Sequence, residues 1–249
     1  MKTFFTFVIC ALITGCESIQ PPKSFIYKEI STPEFKLATW QKITDTSADY
    51  RVYIEGDGYA FNAHGQPSSN PTPHGELMRE LSFNDTAPNV IYLARPCQYV
   101  KDKACRMEYW TTKRFAPEII KAEYEAIKKI AGSKNITLIG YSGGAQIAGL
   151  IAVKYPDLKI KKVITIAGNL DHKAWTEYHH LPELIGSLNL ADYKEKFADI
   201  SQIHYIGAKD SIIPPELTQY FVSNDKIVLI KGATHNKGWK PTFRLIYLQ

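Results

Sequence analysis

Strong charge imbalance, cysteine, long apolar runs and internal repeats are scarce or missing in this sequence, and each shortage removes a class of function. Its 249 residues carry 30 Lys and Arg against 25 Asp and Glu, a formal charge of only +5, which gives little support to nucleic-acid binding. The apolar stretch from Phe4 to Ile13 falls far short of the roughly 20 residues that span a bilayer as a helix. There are four cysteines, without partners at metal-ligand spacing, and no H-E-x-x-H pattern, so neither structural zinc nor a metalloprotease site is expected. No repeat stands out. What is there is ordinary: 45% hydrophobic and 22% charged residues, which excludes disorder and fibre and suits one or two globular domains.

The first segment is not fold. Met1-Lys2 and the apolar residues after it have the form of a secretory h-region. Ile13-Thr14-Gly15-Cys16 then resembles the bacterial lipobox, an aliphatic residue and two small ones before a cysteine. The resemblance implies a signal peptide over 1–15, diacylation of Cys16 as the new N-terminus, and a short lipidated tether over 16–24 that contains Pro21-Pro22. Two acyl chains anchor stably where one binds marginally. An ordinary cleaved signal or an uncleaved anchor is the alternative. Loss of Lys2 would leave the mature chain at +4. With Cys10 removed and Cys16 lipidated, Cys97 and Cys105 remain, and their closeness suggests one disulfide formed in an oxidising compartment. Closing a loop of about nine residues is worth roughly 2.5 kcal/mol in the chain-entropy treatment. Free thiols in a reducing compartment are the alternative.

From residue 25 to 249 strand and helix signals alternate. Phe25 to Ile30 and Phe35 to Gln41 suggest early antiparallel edge strands, and Arg51 to Glu55 a firmer strand. His74 to Leu81 has helical spacing. Val90 to Ala94 and Asn135 to Ile139 are short apolar runs of the kind buried on both faces of a parallel sheet. Pro117 opens a helix, Gly143 to Tyr155 forms another that Pro156 stops, and Lys161 to Ala167 follows as a strand. Residues 168–198 have helical patches and aromatics but no strand, as in an insertion. Ile203 to Ile206, a helix from Pro214 to Tyr220, Lys226 to Ile230 and an amphipathic end from Trp239 to Tyr247 complete the series. The expected fold is α/β: a mostly parallel sheet of about eight strands with helices on both faces.

Three strand ends carry candidate chemistry. Gly140-Tyr141-Ser142-Gly143-Gly144 fits G-x-S-x-G, directly after a buried strand and directly before a helix. Such a turn is too tight for side chains two residues either side of the serine. A serine needs a base and an orienting acid. Asp210 follows the strand ending at Ile206, and His235 follows the strand ending at Ile230. In this order and context the sequence resembles the α/β-hydrolase superfamily, from about Arg51 to the end. The resemblance implies Ser142 as nucleophile, His235 as base and then acid, and Asp210 as the carboxylate that holds the imidazole. Asp171, after the preceding strand, is the alternative acid, Asp210 then being a turn residue that caps the next helix. The backbone N–H of Gly143 is one expected oxyanion donor. Glu55-Gly56-Asp57-Gly58 is similar to the His-Gly-Gly-Gly loop of esterases but carries Glu55 and Asp57, so the backbone of Asp57 is the second candidate, provided that its carboxylate is engaged elsewhere.

Tyr59, Phe61, Tyr141, Trp175, Tyr178 and Tyr193 are candidates for a substrate pocket. Asp171, His172, His179 and His180 are a weaker metal candidate, and the chemistry expected needs no metal and no cofactor. The partners implied are a small-molecule acyl substrate and, through the N-terminal lipid, a membrane on the periplasmic side of the bacterial envelope. Two readings stand: a serine hydrolase, most simply of carboxylic esters with peptidase or thioesterase as neighbouring chemistries, or a lipoprotein that keeps the scaffold and binds a partner without turnover. The second would be expected to lack a catalytic residue, and none is lacking.

Overall fold

The computed structural model describes residues 19–249; the expected signal peptide and Cys16 lie outside the described residues. Eight strands form one sheet. β1 (Ile26–Ser31) pairs antiparallel with β2 (Lys36–Ile43), and β2 pairs antiparallel with β4 (Asn89–Leu93). β3 (Tyr50–Ile54), β5 (Asn135–Tyr141), β6 (Lys159–Ile166), β7 (Gln202–Gly207) and β8 (Ile227–Ile230) join β4 in parallel, in the order β1-β2-β4-β3-β5-β6-β7-β8. Only β1 of the first two strands is an edge; β2 is interior, which its apolar alternation did not signal.

The short apolar runs are the strands buried on both faces. In β4, Ile91 and Leu93 enter one core while Val90 and Tyr92 enter the other, as the two-residue period of a strand requires. One face is covered by α2 (Pro117–Ala131), α3 (Gly143–Lys154), α5 (Lys194–Ala198) and α6 (Pro215–Phe221), whose Ile119, Ile120, Ile147, Phe197 and Phe221 share that core. The other carries α1 (Leu77–Phe83) and α7 (Phe243–Tyr247), through Met78, Leu81, Phe243 and Ile246, together with Trp239. Each Ile or Leu so enclosed contributes roughly 1.5 to 3 kcal/mol. The insertion holds α4 (His172–Tyr178), a 3-10 turn at Leu190–Tyr193 and α5, without a strand. α1 begins at Leu77 rather than His74, because His74 instead stacks on Tyr59 at 4.1 Å. The amphipathic end divides into a 3-10 turn at Lys240–Thr242 and α7.

Strand order places the loops that matter. The chain crosses from β3 to β4 on one side and returns to β5 on the other, so β3 and β5 neighbour each other at the point where the order reverses, with Ile54 opposite Gly140. Open parallel sheets form their clefts at such a point. A disulfide joins Cys97 to Cys105 just beyond β4. The loop it closes reaches back to the loop after β3: Gln98 Nε2 donates to Gly56 O at 3.0 Å, and Gln98 Oε1 accepts from Arg95 N at 3.1 Å.

Far from this end, β7 buries His204 between Thr165 Oγ1 and Gln202 Oε1, each 2.8 Å from a ring nitrogen. Burial, helped by the charge of Lys226, pushes its pKa from 6.5 down to about 3. The native state therefore holds the ring neutral while the unfolded chain takes up a proton below its ordinary value, so stability is full above that value and drains as pH falls towards the native one. Between about pH 7 and about pH 4 this one group should remove about 3 kcal/mol. Denaturant titrations at the two pH values should give His204→Gln a correspondingly shallower acid loss; equal losses in both proteins would refute it.

Candidate active site

Ser142 stands on the turn between β5 and α3 with φ 50 and ψ −121. This left-handed state is costly for a residue with a Cβ and persists where neighbours fix it. Two backbones close on the turn. A methyl group on Gly140 would lie 2.5 Å from Gly144 O, and one on Gly144 would lie 2.4 Å from Ile54 O at the end of β3. Glycine is required at both places for space, as the motif suggests.

The structure brings Ser142, His235 and Asp210 together. His235 Nε2 lies 3.0 Å from Ser142 Oγ, and His235 Nδ1 lies 2.9 Å from Asp210 Oδ2. Asp210 is buried, and its other oxygen accepts from the backbone N–H groups of Ile212 and Ile213, each at 2.9 Å. Both lone-pair sides of the carboxylate are thus occupied, one set fixing it and one facing the imidazole. The loop of His235 is pinned from two sides: Tyr141 OH donates to His235 O at 3.2 Å, and the buried Trp239 donates from Nε1 to Thr234 O and His235 O at 2.9 and 3.1 Å. Burial, then the nearby Glu55 and Asp210, keep the Tyr141 phenol protonated by raising its pKa. Asp171 is elsewhere engaged. It caps α4, accepting from Lys173 N and Ala174 N at 3.1 Å and from Asn189 Nδ2 at 2.7 Å.

The loop after β3 carries the charge that the sequence left unexplained. Glu55 is buried and bonded to its own neighbour Gly56 N at 2.8 Å and to Tyr92 OH at 2.6 Å; burial raises its pKa despite both bonds. Gly56 N–H is thereby occupied. The N–H groups of Asp57 and Gly143 donate to no other group among the described residues. The Asp57 carboxylate accepts from Arg95 Nη1 at 3.1 Å and from Arg114 Nη1 at 2.7 Å. Burial opposes its charge, but the two guanidinium groups outweigh burial and hold its pKa below the usual carboxylate range. It packs directly under the turn, since a methyl group on Gly143 would lie 2.1 Å from Asp57 Oδ1. Arg95 is held in turn by the carbonyl of Arg114, by the ring of Phe115 at 5.4 Å, and by Glu123, 3.1 Å away. Glu123 lies in the core, where burial outweighs Arg95 and pushes its pKa up to about 8. Asp57 thus lies between two guanidinium groups, and both it and Arg114 face the cleft.

Ser142 and His235 open into a cleft of about 610 Å³, a size that suits a small organic ligand. Tyr59, Tyr141 and Trp175 line it as expected, with Phe61. Tyr178 and Tyr193 do not: Tyr178 points outward, and Tyr193 covers the Lys154 ammonium at 5.1 Å. Arg114, Asn169, Ile212 and Ile213 also face the cleft, and sequence reasoning missed them along with Arg95 and Trp239. No short motif marks these residues: Arg95 and Arg114 reach Asp57 across 38 and 57 residues of chain, while Ile212, Ile213 and Trp239 lie near Asp210 or His235 in sequence without a pattern that announces it. Among the described residues no group of His, Cys, Asp and Glu is arranged to hold a metal ion.

No protein-family model and no curated protein sequence matches the chain. Solved structures do. An esterase of Pyrococcus furiosus superposes with a TM-score of 0.60 at 20% identity over 92% of this chain and 97% of its own. Est1E of Butyrivibrio proteoclasticus gives 0.57 at 15%, over 89% and 94%, and the esterase domain of a Rhodothermus marinus protein gives 0.59 at 15%, over 90% and 96%. At these identities the likeness establishes architecture: the chain has the α/β-hydrolase fold.

Replacing Asp57 by Asn should leave buried Arg114 without its carboxylate partner and Arg95 with Glu123 alone, a loss of about 3 kcal/mol. The urea midpoint should fall with the slope unchanged; an unshifted midpoint would mean that the arginines find other partners.

Proposed function

We propose that the chain is a serine hydrolase that cleaves a carboxylic ester of a small acyl substrate through an acyl-enzyme on Ser142. One observation carries the reading: the unbroken line from Ser142 Oγ through the His235 ring to the buried Asp210, at 3.0 and 2.9 Å. In the productive tautomer His235 Nδ1–H donates to Asp210 and Nε2 accepts from the serine. As Oγ attacks the ester carbonyl, its proton passes to Nε2, and Asp210 stabilises the imidazolium without taking the proton. The carbonyl oxygen becomes an oxyanion that accepts from the N–H groups of Gly143 and Asp57, at the start of α3 where the helix dipole favours negative charge. The tetrahedral intermediate collapses, the C–O bond to the alcohol breaks, and the alcohol leaves with the proton from Nε2. Water then repeats the sequence on the acyl-enzyme, with His235 again as base, and releases the acid and free Ser142. The Asp57 carboxylate would repel the oxyanion were it alone; its ion pairs with Arg95 and Arg114 offset that repulsion. With Cys16 diacylated, the enzyme is anchored to a membrane of the bacterial envelope and faces the periplasm.

Steady-state kinetics of the full chain on esters of graded acyl length, beside peptide and thioester substrates, test the chemistry and the choice of bond. Ser142→Ala should cost roughly six orders of magnitude in kcat and Asp210→Asn about four. Asp171→Asn should leave kcat nearly unchanged and cost about 1 kcal/mol of stability at most, because its place is a helix cap. Retention of a tenth of the activity by Ser142→Ala, or a larger loss in Asp171→Asn than in Asp210→Asn, would overturn the assignment.

A further inference from the structure

Two buried polar side chains of the cleft have donors that neither the fold nor the proposed reaction uses. Glu55 and Asp57 line the cleft with both oxygens of each engaged. Arg114 and Asn169 line it too, each only 6% exposed, and differ in this respect. In Arg114, Nε donates to Thr111 O at 2.6 Å and Nη1 to Asp57 Oδ2 at 2.7 Å, whereas Nη2 donates to no group among the described residues and is not sealed from solvent. The backbone N–H of Asn169 donates to Ser142 O at 3.0 Å, but its side-chain amide has no partner among the described residues and is not sealed either. Such donors are satisfied by whatever enters the cleft, and an apolar group set against them would leave them unpaired at a cost in binding.

Both groups flank the nucleophile. Asp57 Oδ2, which holds Arg114, lies 3.1 Å from the place that a methyl group on Gly143 would take, and Asn169 is bonded through its own backbone to Ser142. The segments that carry them meet, since Phe115 stacks on His172 with ring centres 5.7 Å apart. Arg114 is fixed on three sides, by Thr111, by Asp57 and by the Phe61 ring 5.5 Å from its guanidinium carbon. A guanidinium held in place beforehand loses little further freedom when it binds an anion. Only Nη1 is needed to offset the charge of Asp57, so the second arm is free for a ligand.

We infer that Arg114 Nη2 and the Asn169 amide hold a carboxylate of the substrate, so that the ester hydrolysed carries an anionic group a few bonds from its scissile carbonyl. The inference rests on the hydrolase reading and adds to it a substrate class that the fold leaves open. A guanidinium N–H to a carboxylate is a charge-assisted hydrogen bond, stronger than one to a neutral acceptor. The Asn169 amide presents Nδ2 to the second carboxylate oxygen. A single negative charge suits the place better than the two of a phosphate monoester, because Glu55, Asp57 and Glu76 line the same cleft and a second charge would meet their repulsion.

The test gives the full chain two series of esters at about pH 7, where their carboxyl groups are ionised. Aryl half-esters of succinic, glutaric and adipic acid put the carboxylate on the acyl side; butyrate esters of hydroxy acids of graded length put it on the alcohol side. Each ester is paired with its primary amide, which has the same shape without the charge. The readout is the ratio of kcat/KM for carboxylate over amide, in which any change of folding or of oxyanion stabilisation cancels. In one of the two series the native protein should favour the carboxylate at least about tenfold, as one hydrogen bond to a charged group provides. Arg114→Lys keeps a charge for Asp57 but has no second arm, and Asn169→Ala breaks no ion pair; each should lower that ratio about threefold or more. A ratio of one or less in both series, or one that either variant leaves at the native value, would overturn the inference. Turnover of no ester at all would refute the hydrolase reading instead, and calorimetry of the same pairs on Ser142→Ala then decides the inference by itself. Tighter binding of the carboxylate that is lost when Arg114→Lys is added sustains it, and equal binding of carboxylate and amide overturns it.

Discussion

Ser142 holds a backbone conformation that no ordinary residue adopts unless its neighbours leave it nothing else, and those neighbours are other backbones. The end of β3 lies against Gly144, the start of α3 lies against Gly140, and Gly56 sits so close that a methyl group there would meet Ser142 Cβ at 3.2 Å. The turn therefore depends on β3 and β5 being adjacent, which follows from the reversal of strand order at that point. Small residues through the first half of α3 let the helix lie close on the sheet, and the serine is carried to the floor of the cleft as a consequence.

That geometry creates an electrostatic difficulty which the surrounding residues offset. A carboxylate on the loop after β3 lies under Gly143, where, in the proposed reaction, negative charge would oppose an oxyanion. Arg95 and Arg114 neutralise it and fix its position, while the disulfide loop ties the same segment through Gln98. Glu123, 3.1 Å from Arg95 Nε, has its pKa raised by burial. The disulfide is thus linked to the site through hydrogen bonds as well as to stability through chain entropy.

What was legible in the sequence was what is local. The apolar run before Gly140, the G-x-S-x-G spacing and the small-residue helix after it all lie within about twenty residues, and the parallel sheet with antiparallel β1 and β2 follows from the same alternation. The meeting of Ser142 with Asp210 and His235 was also expected, since each follows a strand, in the order that the resemblance to α/β-hydrolases implies. Asp210 was the expected acid, but Asp171 stayed open as the alternative because it too follows a strand; the direction of each carboxylate tells them apart. Arg95, Arg114 and Trp239 were illegible for another reason. Their partners are 38, 57 and 4 or 5 residues away, and nothing in an isolated Arg or Trp says that it will be buried against a loop. The aromatic residues of the insertion divided likewise, Trp175 turning to the cleft and Tyr178 and Tyr193 away from it.

The central claim is that Ser142 in the folded protein is a nucleophile activated by His235. Intact mass spectrometry of the folded chain after exposure to a fluorophosphonate, followed by peptide mapping, addresses it directly. The account requires a single adduct, on Ser142, formed rapidly in the native protein and at least a hundredfold more slowly in His235→Ala, a conservative bound for loss of the base. An unlabelled protein, an adduct on another residue, or labelling indifferent to His235 would contradict it.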